Sequence, residues 1–341
     1  MSRLTLALDV MGGDFGPRIT IPASILALEQ DPTLEFLLFG DSQQITPLLQ
    51  NIPTSIQQRL RICHCSREIN NQQGLSYALR HSKGTSMRLA IEAVQQGDAK
   101  ACVSAGNTAA LMGLAKVLLP CLPGIDRPAL LSLIPTVNKG CSVMLDLGAN
   151  IECRAENLYQ FALMGSIFAE NTLNILYPRV ALLNIGIEEI KGYKSIREAT
   201  HLIEQNANLQ YIGFIEGNLL LNGVADVIVS DGFNGNIALK TLEGAMMNLM
   251  SLLKERTLLS YPPLNKMVAW LAKRLFNRSY QQLAHFNPEQ YNGASLVGLN
   301  AVVVKAHGSS TVNSFAYAIK DAALQARQAI PNKILMGLER N

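Results

Sequence analysis

Six times along this chain a short apolar run ends abruptly in small or polar residues, and this recurrence limits the fold more than any other feature. Leu6–Asp9 runs into Val10-Met11-Gly12-Gly13-Asp14, and Lys100–Val103 into Ser104-Ala105-Gly106-Asn107-Thr108. Ser142–Asp146 runs into Leu147-Gly148-Ala149-Asn150, and Val180–Leu183 into Asn184-Ile185-Gly186. Asp226–Ser230 runs into Asp231-Gly232-Phe233-Asn234-Gly235-Asn236, and Ala301–Lys305 into Ala306-His307-Gly308-Ser309-Ser310. Aliphatic runs bounded by such residues read as buried strands, and most are followed by a helical pattern, such as residues 109–116. The expected class is α/β with a mostly parallel sheet. Open parallel sheets gather the carboxyl ends of their strands along one edge and bind ligands there, so the six endings are expected to line one shared site.

The turn at 104–108 is the most pointed of the six. Five small or polar residues at a helix start present backbone N–H groups where the aligned peptide dipoles favour an anion. Gly and Ala in such a turn let a ligand approach the backbone closely.

Composition narrows the function. A net charge of +3 over 341 residues is too mild for a nucleic-acid binder, yet it suits a small anionic substrate or an acidic protein partner. Hydrophobic content of 48% with 16% charged residues is that of a packed globular chain, long enough for one large α/β unit of two lobes. The six cysteines fall mostly in apolar runs, and Cys63-His64-Cys65 has no second pair at zinc spacing. A reduced, cytoplasmic chain without a metal is expected. The sequence enters its first strand at once, so no signal peptide is expected, and no uncharged run is long enough to span a bilayer.

The remaining elements follow the same rhythm. Helices are expected over Ile19–Gln30, Asp41–Leu49, Met87–Gln96, Leu158–Asn174 and Lys194–Gln205, with strands at Leu34–Gly40, Leu60–Cys65, Leu130–Ile134 and Gln210–Phe214. Arg67–Ser86 reads as a polar loop and short helix on the rim of the crevice. Residues 243–280 depart from the rhythm: two apolar helical patterns flank Tyr261-Pro262-Pro263, with Lys254, Arg256, Lys266, Lys273, Arg274 and Arg278 around them. A protruding helical hairpin is expected there. Its apolar tip and basic rim suit a membrane surface or an acidic partner, and its alternatives are a dimer interface or core packing.

Converging on the strand endings are the carboxylates Asp9, Asp14, Asp146 and Asp231, the cations Arg127 and Lys191, and His307. The chain has no Walker phosphate loop, no dinucleotide fingerprint after its first strand and no G-x-S-x-G elbow. Asp226 and Asp231 stand at a spacing that suggests a metal-binding carboxylate pair of the dehydrogenase kind, with little around them to complete it.

Leu8–Asp14, Ser104–Thr108, Asp146–Asn150, Asp231–Asn236 and Lys305–Ser310 resemble, in order, the signature segments of the bacterial fatty acyl-acyl-carrier-protein:phosphate acyltransferases. The resemblance runs from Leu4 to about Gln328. It departs at Leu75, where Pro is usual, at Ala109, where Gly is usual, and at Asn292, where a second Gly is frequent. These changes flank the segments and bear on loop geometry and acyl-chain preference rather than on the reaction class. The resemblance implies a three-layer α/β/α sandwich of the isopropylmalate dehydrogenase type, a homodimer and no cofactor. It also implies transfer of a fatty acyl group from acyl carrier protein to inorganic phosphate, with the acyl phosphate passed to a membrane-bound glycerol-phosphate acyltransferase. The nearest rival, with the same site logic, is a phosphate acetyltransferase using acetyl-CoA; a non-enzymatic scaffold of lipid enzymes is the other.

For that chemistry phosphate is itself the nucleophile, so the protein must hold it in line and exclude water. Ser104, Gly106, Asn107 and Thr108 are expected to bind phosphate, with Arg127 or Lys191 adding charge. Asp231 or His307 is expected to take the proton. Asp9, Gly12, Gly13, Asn150, Gly232 and Asn236 are expected to shape the oxyanion and acyl loops.

Overall fold

The computed structural model describes residues 3–70, 74–259, 285–286, 291 and 293–339. In the first half of the chain β1 (Leu4–Asp9), α1 (Pro17–Gln30), β2 (Leu34–Gly40), α2 (Ser42–Ile45), α3 (Thr54–Gln57) and β3 (Leu60–His64) are followed by α4 (Leu75–His81), α5 (Ser86–Gln95), β4 (Ala101–Ser104) and α6 (Thr108–Leu118). The second half carries β5 (Ala129–Pro135), β6 (Cys141–Leu145), α7 (Ala155–Thr172), β7 (Arg179–Leu183), α8 (Lys194–Glu204), β8 (Gln210–Ile215), β9 (Val227–Val229) and α9 (Gly232–Leu259). The chain then returns through β10 (Ala294–Val297) and β11 (Val302–Lys305) to α10 (Val312–Arg327) and α11 (Ile330–Glu339).

Local chemistry explains the boundaries. Pro17 opens α1, where a missing N–H costs nothing. Asp41 caps α2 by accepting from the Gln43 N–H, and the Thr311 hydroxyl caps α10 by accepting from the Ser314 N–H. Leu75, at the start of α4, packs against Gly113 of α6.

The eleven strands form one sheet in the order β3-β2-β1-β4-β11-β10-β5-β6-β9-β7-β8. β3, β2, β1, β4 and β11 run parallel to one another, as do β6, β9, β7 and β8. Between these blocks β10 is antiparallel to both β11 and β5, and β5 is antiparallel to β6. The two blocks therefore point in opposite directions. The endings of β1, β4 and β11 lie along one edge of the sheet, while those of β6, β7 and β9 lie along the other. The expectation of six endings on one edge is corrected here. Hydrophobic patterning reports burial and not strand direction, and β10 gave no signal of its own.

Helices cover both faces. On one, Leu6, Leu8, Val103 and Val304 pack under Ile21 and Leu28 of α1 and Phe315 of α10, and Leu131, Val143 and Val180 pack under Phe161 and Phe168 of α7. Each of these buried phenylalanines contributes about 1.5–3 kcal/mol. On the other face Cys102 and Val303 meet Met87, Ile91 and Leu111, and Leu130, Met144 and Ile228 meet Leu239 and Leu242 of α9. The sandwich has three layers, as the resemblance implied.

The hairpin expected over 243–280 is altered. Its first arm is part of a 28-residue helix, α9, that begins at Gly232; its second arm and tip, and Asn292, lie outside the described residues. Among the described residues no helix is long and apolar enough to cross a membrane.

Candidate active site

At the end of β1, Asp9 is fully buried and accepts from the Ser104 hydroxyl at 2.6 Å. Ser104 Oγ in turn accepts from the Gly106 N–H at 3.0 Å. Asp9 Oδ1 has no hydrogen-bond partner. Burial outweighs the Ser104 and Ser86 hydroxyls and the Met11 and Gly12 amides nearby, and raises the carboxyl above the usual range. Gly12 packs against Gly106 so tightly that a Cβ there would lie 2.6 Å from the Gly106 nitrogen. The Asp14 N–H donates to the Gly308 carbonyl at 2.8 Å, which ties the loop after β1 to the loop after β11. Ser104 and Gly106, both buried, thus build the turn from within, and neither lines the cleft described below. Asn107 caps α6 by accepting from the Ala110 N–H at 2.9 Å, and Thr108 faces the cleft described below.

The second cluster lies along the other edge. Asp146 is buried and accepts from the N–H groups of Leu130 (2.8 Å), Ala149 (3.1 Å) and Asn150 (2.6 Å) and from Asn150 Nδ2 (2.9 Å). Asn150 Nδ2 also donates to the Pro128 carbonyl. The Gly232 N–H, an expected oxyanion donor, is engaged within the loops, donating to the Asn150 carbonyl at 2.8 Å. A Cβ at Gly232 would meet that carbonyl oxygen at 2.5 Å. Asp231 accepts from the Asn234 N–H (2.8 Å) and from Asn234 Nδ2 (2.7 Å) in the first turn of α9, a capping arrangement rather than that of a base facing substrate. Burial, then the Asp146 charge, pushes the Cys153 thiol up to about 12, so it stays protonated and offers no thiolate.

The two clusters are joined by a cleft of about 290 Å³ on the sheet face between α6 and α9. Its floor is Leu130, Ser132, Ala294 and Lys305, from β5, β10 and β11; Asn236, Leu239 and Lys240 of α9 form one wall, and Thr108 and His307 the other. Because α9 starts at the far edge and runs back over the sheet, it carries Lys240 to the ending of β11. Lys305 was not singled out from sequence, although a lysine closing the run Val302-Val303-Val304 was the available signal. Its ammonium donates to the carbonyls of Ala105 (3.3 Å) and Ala306. Burial, then the neighbouring Lys240, brings it down to about 8. His307 is held below the usual imidazole range, by partial burial and then by Lys240. Its Nδ1 lies 2.8 Å from the Ser309 hydroxyl and 3.3 Å from the Ser309 N–H, so the loop after β11 fixes the orientation of the ring.

Three expected residues are not part of this cleft. Arg127 precedes β5 at the amino-terminal side of β4 and β11, where it reaches the Glu152 carbonyl at 3.4 Å; it lies away from Asn107. Lys191 is exposed in the loop after β7, on the Asp146 edge, and its backbone carbonyl accepts from Asn184 Nδ2. Asp226 is held by Arg179 through two contacts of 2.9 Å at the opposite end of β9 from Asp231, so the carboxylate pair of the dehydrogenase reading does not form.

The sequence pattern of a family described as Fatty acid synthesis protein matches residues 4–333. The chain belongs to this family. A relative from Pasteurella multocida named phosphate acyltransferase is 70% identical over the whole of both chains, and one of that name from Actinobacillus pleuropneumoniae is 56% identical over 100% of this chain and 98% of its own. In fold the chain is similar to a phosphotransacetylase from Streptococcus pyogenes, with a TM-score of 0.64, 18% identity and 95% and 94% of the two chains covered. A 4-hydroxythreonine-4-phosphate dehydrogenase from Klebsiella pneumoniae has a TM-score of 0.51 at 14% identity, with 96% and 98% covered. The family and its dehydrogenase-like fold are those the signature segments implied.

Proposed function

We propose that this enzyme transfers a fatty acyl group from the thioester of acyl carrier protein to inorganic phosphate, and that the α6–α9 cleft is where it does so. The observation that carries the reading is the meeting of Lys305, the amino terminus of α6 and His307 at one cleft. A cation and helix-end N–H groups suit a phosphate, and the neutral imidazole beside them suits a proton acceptor. Phosphate is held by Lys305, Thr108 and the first N–H groups of α6, with Asn107 fixing that helix end. A phosphate oxygen attacks the thioester carbonyl, and His307 takes the phosphate proton when monobasic phosphate reacts. The tetrahedral oxyanion accepts from the Asn236 amide, a contact of the kind whose loss costs about 3 kcal/mol. Collapse breaks the C–S bond, and the carrier thiolate leaves with little need of acid assistance.

The same reading covers the surroundings. The chain acts as one two-lobed domain and as a homodimer in the cytoplasm. Residues 246–280 meet the acidic carrier protein or an anionic membrane surface, from which acyl phosphate passes to a membrane-bound glycerol-phosphate acyltransferase. Reversal of charge at Lys273 and Arg274 is then expected to weaken co-sedimentation with anionic vesicles or carrier affinity.

The deciding measurement is thiol release from a long-chain acyl-carrier protein with and without phosphate, with acetyl-CoA in parallel. Phosphate-dependent release from the carrier substrate is expected, and Lys305→Met should lower kcat/KM at least about 100-fold in a folded protein. Turnover of acetyl-CoA alone would replace this reading with the acetyltransferase one.

A further inference from the structure

The cleft does not end at the reacting groups. At Ser132, Leu239, Glu243 and Tyr291 it shares its walls with a narrow slot that continues beneath α9 along β5. The polar atoms at this waist are already engaged. Glu243 accepts from Lys240 at 2.7 Å, and the Tyr291 hydroxyl bonds His285 Nδ1 at 2.9 Å. Past the waist the walls are apolar: Ile134 and Pro135 below, Leu242 and Met246 of α9 above, with Leu221 and Phe286 at the side. From Asn236, beside the reacting groups, to Met246 the helix rises about 15 Å. The slot's own wall on α9, Leu239 to Met246, takes up about 10 Å of that rise, which is room for several methylenes of an extended chain beside the cleft that holds Lys305 and His307. Methionine, which adapts its shape, stands at the end where chains of different length would stop.

We propose that this slot holds the hydrocarbon tail of the acyl substrate, and that Leu221, Leu242 and Met246 set the chain length the enzyme accepts. The proposal rests on the acyl-transfer reading of the cleft. Each methylene that enters the slot is expected to raise kcat/KM about fourfold until the far end is reached.

The test is phosphate-dependent thiol release from carrier-protein thioesters of short, medium and long saturated chains. Leu221→Trp and Met246→Trp fill the slot from different walls, and Leu242→Ala opens it. Both tryptophan variants should lower the ratio of long-chain to short-chain kcat/KM at least about tenfold. Leu242→Ala should move the optimum toward longer chains. The ratio does not depend on how much of a preparation is folded. An unaltered profile in all three variants, or an equal loss at every length, overturns the assignment. Should the unsubstituted enzyme release no thiol from any thioester, the acyl-transfer reading itself fails, and that result is separate from a failure of the slot.

Discussion

Asp9 and Asp146 close strands in opposite blocks of the sheet, both are buried, and burial raises both carboxyls above the usual range. They differ in what surrounds them. Asp146 is ringed by three backbone N–H groups and one side-chain amide, all consumed in holding the loops of its half together. Asp9 accepts a short hydrogen bond from the Ser104 hydroxyl, with the Ser86 hydroxyl and the Met11 and Gly12 amides nearby, keeps Oδ1 unpartnered, and lies on the side of the sheet where Lys305 and His307 border open space. Two similar sequence signatures have become a closed knot and an open site. What separates them is whether the fold has used up the polar atoms they bring together.

The largest test of this contrast removes each carboxylate in turn. Asp146→Ala orphans the N–H groups of Leu130, Ala149 and Asn150 and should cost about 3–5 kcal/mol of stability by denaturant titration. Asp9→Ala should cost less than half of that and lower turnover more. Equal losses of stability would erase the distinction.

A second test uses pH. Because the Lys305 ammonium titrates near 8, its charge is present below that value and lost above it. The phosphate kcat/KM should therefore fall above about pH 8, approaching tenfold per pH unit. Lys305→Arg, whose charge persists, should remove that limb whatever it does to the plateau. A limb that survives the arginine variant would assign the titration elsewhere.

The smallest effect is expected at Asp231. As a helix cap its loss should lower stability by about 1 kcal/mol and change kcat less than about threefold. A fall in kcat of two orders of magnitude at unchanged stability would return Asp231 to the chemistry.

Much of the fold was legible because burial and punctuation are local. Leu34–Gly40 was delimited as a strand to the residue, and Lys194–Gln205 ran one residue past helix α8. The six polar endings were all real. Strand direction was not legible, since β10 is four residues long and comes after the stretch at 243–280 that breaks the α/β rhythm, yet it sets how the two blocks are joined. Of the cleft's lining, His307, Thr108 and Asn236 were legible because they stand in the polar turns. Lys305 and Lys240 were missed for a physical reason: one closes a strand and the other lies two turns into a helix, and neither is near the cleft until the sheet and α9 are assembled. Arg127 and Lys191 were chosen for their charge alone, and charge does not say on which edge a loop emerges.

The order of strands also bears on how the molecule is made. β11 and β10, the last two strands of the chain, are inserted between β4 and β5, which are synthesised far earlier. Until residue 305 has left the ribosome, β4 has no partner on its inner side, and the apolar run Ala101–Val103 presents a bare backbone edge. A chain halted before β10 would hold both blocks without the strands that join them, and without Lys305. Completion of the sheet and arrival of Lys305 are thus the same event in biogenesis, so a nascent or truncated chain has no stage at which it is folded in its centre and yet lacks that side of the cleft.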